Sequence, residues 1–558
     1  MPKRTTILLT LLASLLLCPG RVLAQNVVEV TDGDLTGDVV WTSDNTYVLV
    51  GRVFVEDGAS LTIEPGTVVK GRFNADPNNA AALVVAQGGK IYAEGTPEQP
   101  VIFTAEDDDV ADPTDLAADD RALWGGVILL GRARTNTAGG TGQIEGIPES
   151  DTRGTYGGND DEDDSGVFRY VSIRHGGARI APDNEINGLT MGAVGRGTTI
   201  EYVEVFANQD DGFEWFGGTV DTKYLVAAFC GDDAFDYDEG FRGRGQFWFA
   251  VQADDDAGSG GEFDGGTTPE DGQPYAIPVV YNLTMIGSGA GSDRSSNDFA
   301  MNIRDNAGGK FYNSIFTDFF GRAVQVEDLA SGEDSWARLQ AGELAIENNL
   351  FWGFGQGSTP ADLFVVGGQP ATSPQFVAYV TDAARNNRIE DPMLAGVSRT
   401  PDAGLDPRPA AGSPALSGAV APPADGFFTQ VDYLGAFGAD LWLRGWTALD
   451  EAGFVGDIST VDVEQASGEI PAAVALAQNY PNPFNPATNI EFRLDRAQPV
   501  RLAVYDLMGR EVAVLVDGVQ AAGAYRVAFD ASKLASGTYV YQLRTQSATV
   551  TRAMMLAK

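Results

Sequence analysis

The chain has 558 residues, which is too long for one ordinary globular domain. Its 78 acidic residues against 37 basic ones give a formal net charge of −41, which argues against nucleic acid or an anionic membrane as a partner and favours cations or a saline habitat. The single histidine, His175, excludes a metal site built from several histidines and disfavours a Ser-His-Asp triad.

The N-terminus has the pattern of a secretory signal. Two basic residues precede an apolar run over residues 7–17, and small residues end at Ala24, so residues 1–24 are predicted to be a signal peptide. A lipoprotein alternative would use Cys18, but Leu17 stands where a small residue is expected. No stretch of the chain is long and apolar enough to predict a transmembrane span.

From residue 47 onward, short β-rich pieces alternate with Asp-Gly and Pro-Gly turns, as in YVLVGRVFVEDGASLTIEPGTVVKG. Two polar inserts, residues 106–120 and 138–165, are predicted to be loops outside the core. The second insert contains NDDEDDSG, whose Asp160, Asp161 and Asp163 are candidate cation ligands, although the run lacks the glycine-centred spacing of an EF-hand.

The clearest pattern is an internal repeat over residues 199–256. A shift of 22 residues superposes the first copy on the second, and a further shift brings a third acidic turn into place. A fixed period of this length is typical of a solenoid, in which each repeat is one coil and its neighbours complete its core. The superposed residues include Tyr202 with Tyr224, Phe213 with Phe235, and Asp210 with Asp232 and then Asp254.

The content of each repeat indicates which kind of solenoid this is. Apolar and polar residues alternate along each copy, which predicts strands, and the turns read QDDG, CGDD and QADDD. No helical stretch separates the copies, so parallel strands joined by turns are expected, stacked at about 4.8 Å. The predicted fold is all-β, a right-handed parallel β-helix over residues 25–456 with N- and C-terminal caps and long loops.

Later coils carry a different marker. The pattern Asn-x-x-apolar recurs at Asn282, Asn313 and Asn348, and these asparagines are predicted to stack as a hydrogen-bonding ladder. One helix is predicted within residues 329–344. The segment YLGAFGADLWLRGWTAL, after a proline-rich stretch, is predicted to close the end of the solenoid. An uncovered sheet edge would promote aggregation.

The C-terminal part reads as a separate module. Residues 457–478 have little pattern and are predicted to be a linker. Residues 479–558 contain alternating strands with turn signals, which predicts a small antiparallel β-sandwich of immunoglobulin-like type.

Two resemblances follow from particular motifs. NYPNPFNP, VYDLMGREV and LASGTYVYQL resemble the type A C-terminal sorting domain of type IX secretion. That resemblance implies that residues 479–558 engage the type IX machinery, after passage through the periplasm, for attachment to the outer-membrane surface or release. GDVVWTSDNTYVLVGRVFVEDGASLTIEPGTVVKG, NGLTMGAVGRGTTIEYVEV, DDGFEWFGGTV and DPRPAAGSPAL resemble secreted right-handed β-helix proteins of unassigned activity, which implies the fold and no reaction.

The repeated aspartates are the sharpest chemical feature. If Asp210, Asp232 and Asp254 lie on successive coils, neighbouring carboxylates about 5 Å apart repel by about 3 kcal/mol at an effective dielectric constant of 20. A Ca²⁺ ion between them would relieve this repulsion, because hard cations take several oxygen ligands. The alternative is that these aspartates cap their turns and face water. Calcium is therefore the candidate cofactor.

Two functions remain open at this point. The first is a surface-displayed or secreted binding, structural or adhesive protein. The second is a polysaccharide lyase or glycoside hydrolase, with Asp211 and Asp233 as acid and base and Arg242 as the assisting cation. Tyr202, Tyr224 and Trp248 would form an outward aromatic stripe able to stack on sugar rings, unless loops fold over it.

Overall fold

The computed structural model describes residues 26–180, 185–266, 269–456, 464–466, 474–494, 496, 498–505, 510–520, 523–531, 536–545 and 548–557. The predicted signal peptide, residues 1–24, lies outside the described residues. The chain divides into two compact units, Met1–Val455 and Gly456–Lys558, close to the predicted end of the β-helix domain at residue 456. Among the described residues, no helix combines the length and apolarity that a bilayer crossing requires.

The first unit is a parallel β-helix with three faces, each a ladder of parallel strands. The first ladder contains Asp38–Trp41, Ser60–Ile63, Lys90–Glu94, the first halves of Gly166–Arg174, Thr199–Phe206 and Asp221–Ala228, then Arg244–Gln246, Val279–Tyr281, Gly309–Tyr312 and Leu344–Glu347. The second contains Asn26–Val30, Asn45–Leu49, Val68–Gly71, Val101–Ala105, the second halves of those three long strands, Phe249–Val251, Thr284–Ile286, Ile315–Phe319, Leu350–Phe354 and Arg388–Ile389. The third contains Arg52–Val55, Ala82–Val85, Val127–Leu130, Leu189–Gly192, Phe213–Phe216, Phe235–Asp238, Gly261–Asp264, Phe299–Arg304, Arg322–Asp328 and Phe364–Gly368.

The strand register confirms the predicted period in the central coils. Val203 pairs with Leu225, and Phe213 pairs with Phe235. The next coil is longer, because Val226 pairs with Phe249 and Phe235 pairs with Gly261. Three extra residues therefore enter the turn that contains the third acidic run.

In successive coils, the corner between the first and second ladders is formed by a residue whose backbone lies in the left-handed region. These corner residues have φ between 47° and 58°, and they are Tyr170, Tyr202, Tyr224, Phe247, Asn282, Asn313 and Asn348. Positive φ is unfavourable for a bulky side chain and costs ~1–3 kcal/mol. Ring stacking offsets this cost in the earlier coils, where the centroids of Tyr202 and Tyr224 lie 4.2 Å apart.

The later corners use asparagine, which tolerates the left-handed region better. The Asn348 side-chain amide donates to Oδ1 of Asn313 at 2.8 Å, as a ladder would require. Asn282 and Asn313 instead donate to backbone carbonyls of residues 433 and 420 at 2.9 Å. The asparagines thus join successive coils and also hold a segment that runs alongside them.

That segment, residues 418–455, is called the strap. The sequence predicts that this segment closes the end of the solenoid, but in the structure it runs back along the corner between the first two ladders. Trp446 packs edge-on against Tyr202, and the backbone N–H groups of Ala448 and Leu449 donate to the buried carboxylate of Glu204. The outward edges of the stacked corner rings form an apolar surface, and the strap covers this surface.

Short helices decorate the unit: α1 (Ser335–Ala341), α2 (Pro360–Leu363), α3 (Ser373–Val380) and α4 (Ala448–Glu451). α1 lies within the predicted helical stretch, and α4 belongs to the strap. α3 packs on the last coils through Phe376, which is fully buried against Phe364. Single turns of 3₁₀ helix lie at Pro77–Asn79, Thr152–Gly154, Pro370–Thr372 and Pro414–Leu416, and short antiparallel pairs join Gly142–Gln143 to Thr155–Tyr156 and Leu394–Val397 to Leu405–Pro409.

The structure of the insert over residues 138–165 differs from the prediction, which is a polar loop outside the core. Ile144, Ile147 and Tyr156 are buried against Ile128 and Leu130, which project outward from the third ladder. The apolar outer face of these early strands needs a cover, and the insert supplies it. Asp160, Asp161 and Asp163 lie in the polar end of this insert.

In the described part of the second unit, two antiparallel four-stranded sheets share one core. One sheet contains Glu464–Ala466, Ala475–Leu476, Ala487–Leu494 and Gly523–Asp530, and the other contains Gln498–Tyr505, Glu511–Gln520, Gly537–Thr545 and Thr549–Leu556. Two of these strands fall in the predicted linker, residues 457–478, and pair with the module that follows.

Candidate functional site: an acidic cleft

A cleft of about 290 Å³ opens beside the third ladder, at the turns of the central coils. Of the ten described residues that line it, nine are carboxylic acids. They are Glu145, Glu185, Asp210, Asp211, Glu214, Asp232, Asp233, Asp236 and Glu262, and the tenth is Asn187.

Strand geometry places three of these acids in one row. In Phe213–Phe216 the rings of Phe213 and Trp215 point into the core, so Glu214 points outward. The register then sets Glu214 beside Asp236, and Asp236 beside Glu262. Parallel strands about 4.8 Å apart therefore stack three carboxylates directly over one another.

The turns before these strands add a second row. Asp210 and Asp211 end one coil, and Asp232 and Asp233 occupy the same places on the next. The backbone N–H of Asp233 donates to Oδ1 of Asp211 at 2.9 Å, so the two turns are joined directly. Asp211 and Asp233 are 8% and 5% exposed, which places their carboxyl groups in the deep part of the cleft.

The two rows form three overlapping sets of possible cation ligands. In each set, one ligand atom from each of three residues lies within 4.8 Å of the others. Asp211 belongs to two of the sets, and so does Asp236. The sets are Asp210–Asp211–Asp232, Asp211–Glu214–Asp236 and Asp233–Asp236–Glu262.

Burial raises the pKa of most of the carboxyl groups that line the cleft. Desolvation, reinforced by neighbouring acids, raises the pKa of Asp210 to about 8 and that of Asp232 to about 6. The pKa values of Asp211, Asp233, Glu214 and Asp236 all lie well above the usual range for the same two reasons. The charged form of this cluster is therefore costly without a compensating cation.

Among the described residues, basic partners reach only the edges of the cleft. Arg179 pairs with Glu185 at 2.9 Å, and Arg304 pairs with Glu262 at 2.7 Å. In the middle, the Asn187 amide donates to Glu145 at 2.9 Å and to Glu214. Oδ1 of Asp236 is buried and has no hydrogen-bond partner within the described structure.

The sequence-predicted metal ligands separate into two groups. Asp210 and Asp232 meet in the cleft, but Asp254 does not join them. The extra residues in its coil place Gly258, rather than Asp254, next to Asp232 in the stack. A Cβ at Gly258 would lie 2.2 Å from Oδ1 of Asp232, so the close approach of this turn requires glycine.

Asp160, Asp161 and Asp163 lie outside the cleft. Asp161 forms ion pairs with Arg134 and Arg242, each at 3.2 Å. Arg242, the cation proposed from sequence to assist Asp211 and Asp233, is therefore engaged with the insert and is not among the residues that line the cleft.

The aromatic stripe in the structure differs from the predicted one in its residues and in its exposure to solvent. Tyr202 and Tyr224 do stack at a corner, but Trp442 of the strap packs edge-on against both rings. Trp248 is buried in the core, where it stacks on Trp215 at 5.0 Å. The one-residue lengthening of its coil puts Phe247 at the corner instead, with its centroid 5.0 Å from that of Tyr224.

The residues predicted from sequence include none of the strand row formed by Glu214, Asp236 and Glu262, although the sequence contains a signal for this row. The segments FEWF and FDYD place an acid at the second position, and GEFD repeats the pattern where the coil has lengthened. Glu145 and Glu185 carry no such signal, because each reaches the cleft from a segment outside these strands.

The fold and the cleft together define an acidic parallel β-helix protein with a separate antiparallel module. Comparison with known families agrees: residues 33–372, more than half of the chain, match the pectate-lyase-like β-helix domain, and the chain belongs to that family. Residues 478–557 match the secretion-system C-terminal sorting domain.

No curated protein matches the chain, and no solved structure matches it. The sorting domain is that of type IX secretion and directs export to the cell surface or the extracellular space. The protein is thus a secreted surface protein that engages the type IX machinery through its C-terminal module.

Proposed function

We propose that this protein is a calcium-binding surface protein whose task is binding rather than catalysis. The observation that carries the proposal is the convergence of nine carboxyl groups in one cleft, three of them buried, while the described basic side chains reach only its edges. Hard cations such as Ca²⁺ take about six to eight oxygen ligands. Each of the three sets brings three carboxylates together as part of such a shell.

The polysaccharide-enzyme alternative has less support. The described residues that line the cleft include neither an aromatic ring to stack on a sugar nor a basic side chain to assist proton removal. Tyr202 and Tyr224 lie under the strap, and Arg242 is paired with Asp161. The carboxylates, the aromatic rings and the basic side chain that a sugar site needs therefore lie in three different places.

Calorimetric titration of Ca²⁺ into the full chain, stripped with a chelator, tests the proposal. The wild-type protein should bind with a measurable heat, and a double variant, Asp211→Asn with Asp233→Asn, should bind at least about tenfold more weakly. Asp293→Asn is the matched control, because its side chain is 87% exposed on a different loop. Absence of binding by the wild type, or equal affinity in the double variant, would overturn the proposal.

A further inference from the structure

We infer that the β-helix carries a second binding site, a pocket for a small organic cation with an apolar body. The pocket has a volume of about 360 Å³ and lies where the insert over residues 106–120 meets the strap. Pockets that bind small molecules have volumes of about 300–1,000 Å³ and are mostly apolar. The site shares no lining residue with the acidic cleft.

Aromatic rings form the floor of this pocket. The centroids of Phe206 and Phe229 lie 5.8 Å apart, and that of Phe454 from the strap lies 4.8 Å from Phe229. Leu116 and Ala118 from the insert form part of the wall. Residues of the insert, the coils and the strap thus line one largely apolar pocket.

The charged groups around the pocket leave it acidic. Arg121 binds both carboxylate oxygens of Asp255, at 2.9 and 3.0 Å. Arg399 donates to the backbone carbonyl of residue 287 and to Asp318. Both guanidinium groups are engaged, and the exposed carboxylates of Asp119 and Asp254 remain at the pocket.

This arrangement selects a class of ligand. An apolar body can pack on the phenylalanine rings, and an attached ammonium group gains from the two carboxylates and from the ring faces. A carboxylate on the same body would be repelled. The longer coil that removes Asp254 from the acidic cleft is what brings it to this pocket.

Three probes of similar size separate the contributions of shape and charge. Ligand-observed NMR and calorimetry on the full chain should show 2-phenylethylammonium binding about fivefold more tightly than 2-phenylethanol, with phenylacetate weakest. The order should be the same with calcium and with a chelator, because the acidic cleft is a different site. This independence also distinguishes failure of the pocket from failure of the calcium proposal.

Variants locate the site. Asp254→Asn should weaken the ammonium probe about threefold and leave the alcohol unchanged, whereas Asp293→Asn should change neither. Ala118→Phe, on the insert, should fill the pocket and remove binding of both probes while tryptophan fluorescence shows an unchanged melting temperature. Equal binding of all three probes, no binding of the ammonium probe, or binding that persists in Ala118→Phe would overturn the inference.

Discussion

Asp211 accepts a hydrogen bond from the backbone N–H of Asp233, 22 residues later, at 2.9 Å. One oxygen of this buried carboxylate therefore holds the turn of the next coil, and a second oxygen remains for a ligand. The two roles considered for the repeated aspartates, turn capping and cation binding, are compatible in the same residue. The cleft is thus built by the same repeat that builds the fold.

Calcium affinity should rise with pH. Bound Ca²⁺ needs ionised carboxylates, and burial has raised the pKa of Asp232 to about 6 and that of Asp210 to about 8. Between pH 6 and pH 8 the affinity should increase by up to about tenfold per pH unit for each proton displaced. Calorimetry in buffers of different ionisation enthalpy should detect proton release at pH 7. A pH-independent affinity with no proton release would contradict the raised pKa values.

The metal-free protein should lose stability over the same range. A carboxyl group whose pKa is higher in the folded state stabilises the fold while protonated, and this contribution is lost as pH rises through the folded pKa. The melting temperature in chelator should therefore fall from pH 5 to pH 9, and saturating Ca²⁺ should remove the fall. All eight tryptophans precede residue 456, so their fluorescence reports on the β-helix unit alone.

Asp233→Asn sharpens this experiment. The amide keeps the size of the side chain but cannot ionise, so at pH 8 the metal-free variant should be more stable than the wild type by ~1–3 kcal/mol. The same variant should gain less from Ca²⁺. A metal-free Asp233→Asn protein that is less stable at pH 8 would show that the carboxylate is not under electrostatic strain.

The extent to which sequence predicts this structure differs between its parts. The spacing of Tyr202 and Tyr224 is enough to predict the fold, because coils of equal length place matching residues in register. A change in coil length cannot be detected from the sequence where similar residues still recur at the repeat spacing. The acidic run at Asp254 lies at the expected spacing, although the coil that contains it is longer. Glu145 could not have been found, since only folding brings its distant insert to the cleft.

Glu204 should hold the strap to the coils. Its carboxyl is fully buried and accepts from Ser172 and from the N–H groups of Ala448 and Leu449. Glu204→Ala leaves buried donors unpaired and should lower the free energy of unfolding by ~2–4 kcal/mol, with faster protease cleavage within the strap. Glu201→Ala, on the same strand but more exposed, should cost less than ~0.5 kcal/mol. Equal effects of the two changes would contradict this role.

Asn348 tests the left-handed corner. Its φ is 58°, and its amide donates to Asn313 at 2.8 Å and to the carbonyl of residue 418 at 3.0 Å. Asn348→Ala should destabilise the fold by ~2–4 kcal/mol, through the lost hydrogen bonds and the strained backbone. Asn348→Gly loses only the hydrogen bonds and should be milder by ~1 kcal/mol. Denaturant unfolding measures both, and equal losses would exclude backbone strain.

The most direct test of the calcium site is a crystal structure of the protein grown with Ca²⁺, with anomalous scattering used to locate the ion. The account predicts an anomalous peak in the cleft, with oxygens of Asp210, Asp211 and Asp232 at about 2.3–2.6 Å. A cleft that contains only water at saturating calcium, with every peak elsewhere on the protein, would contradict it.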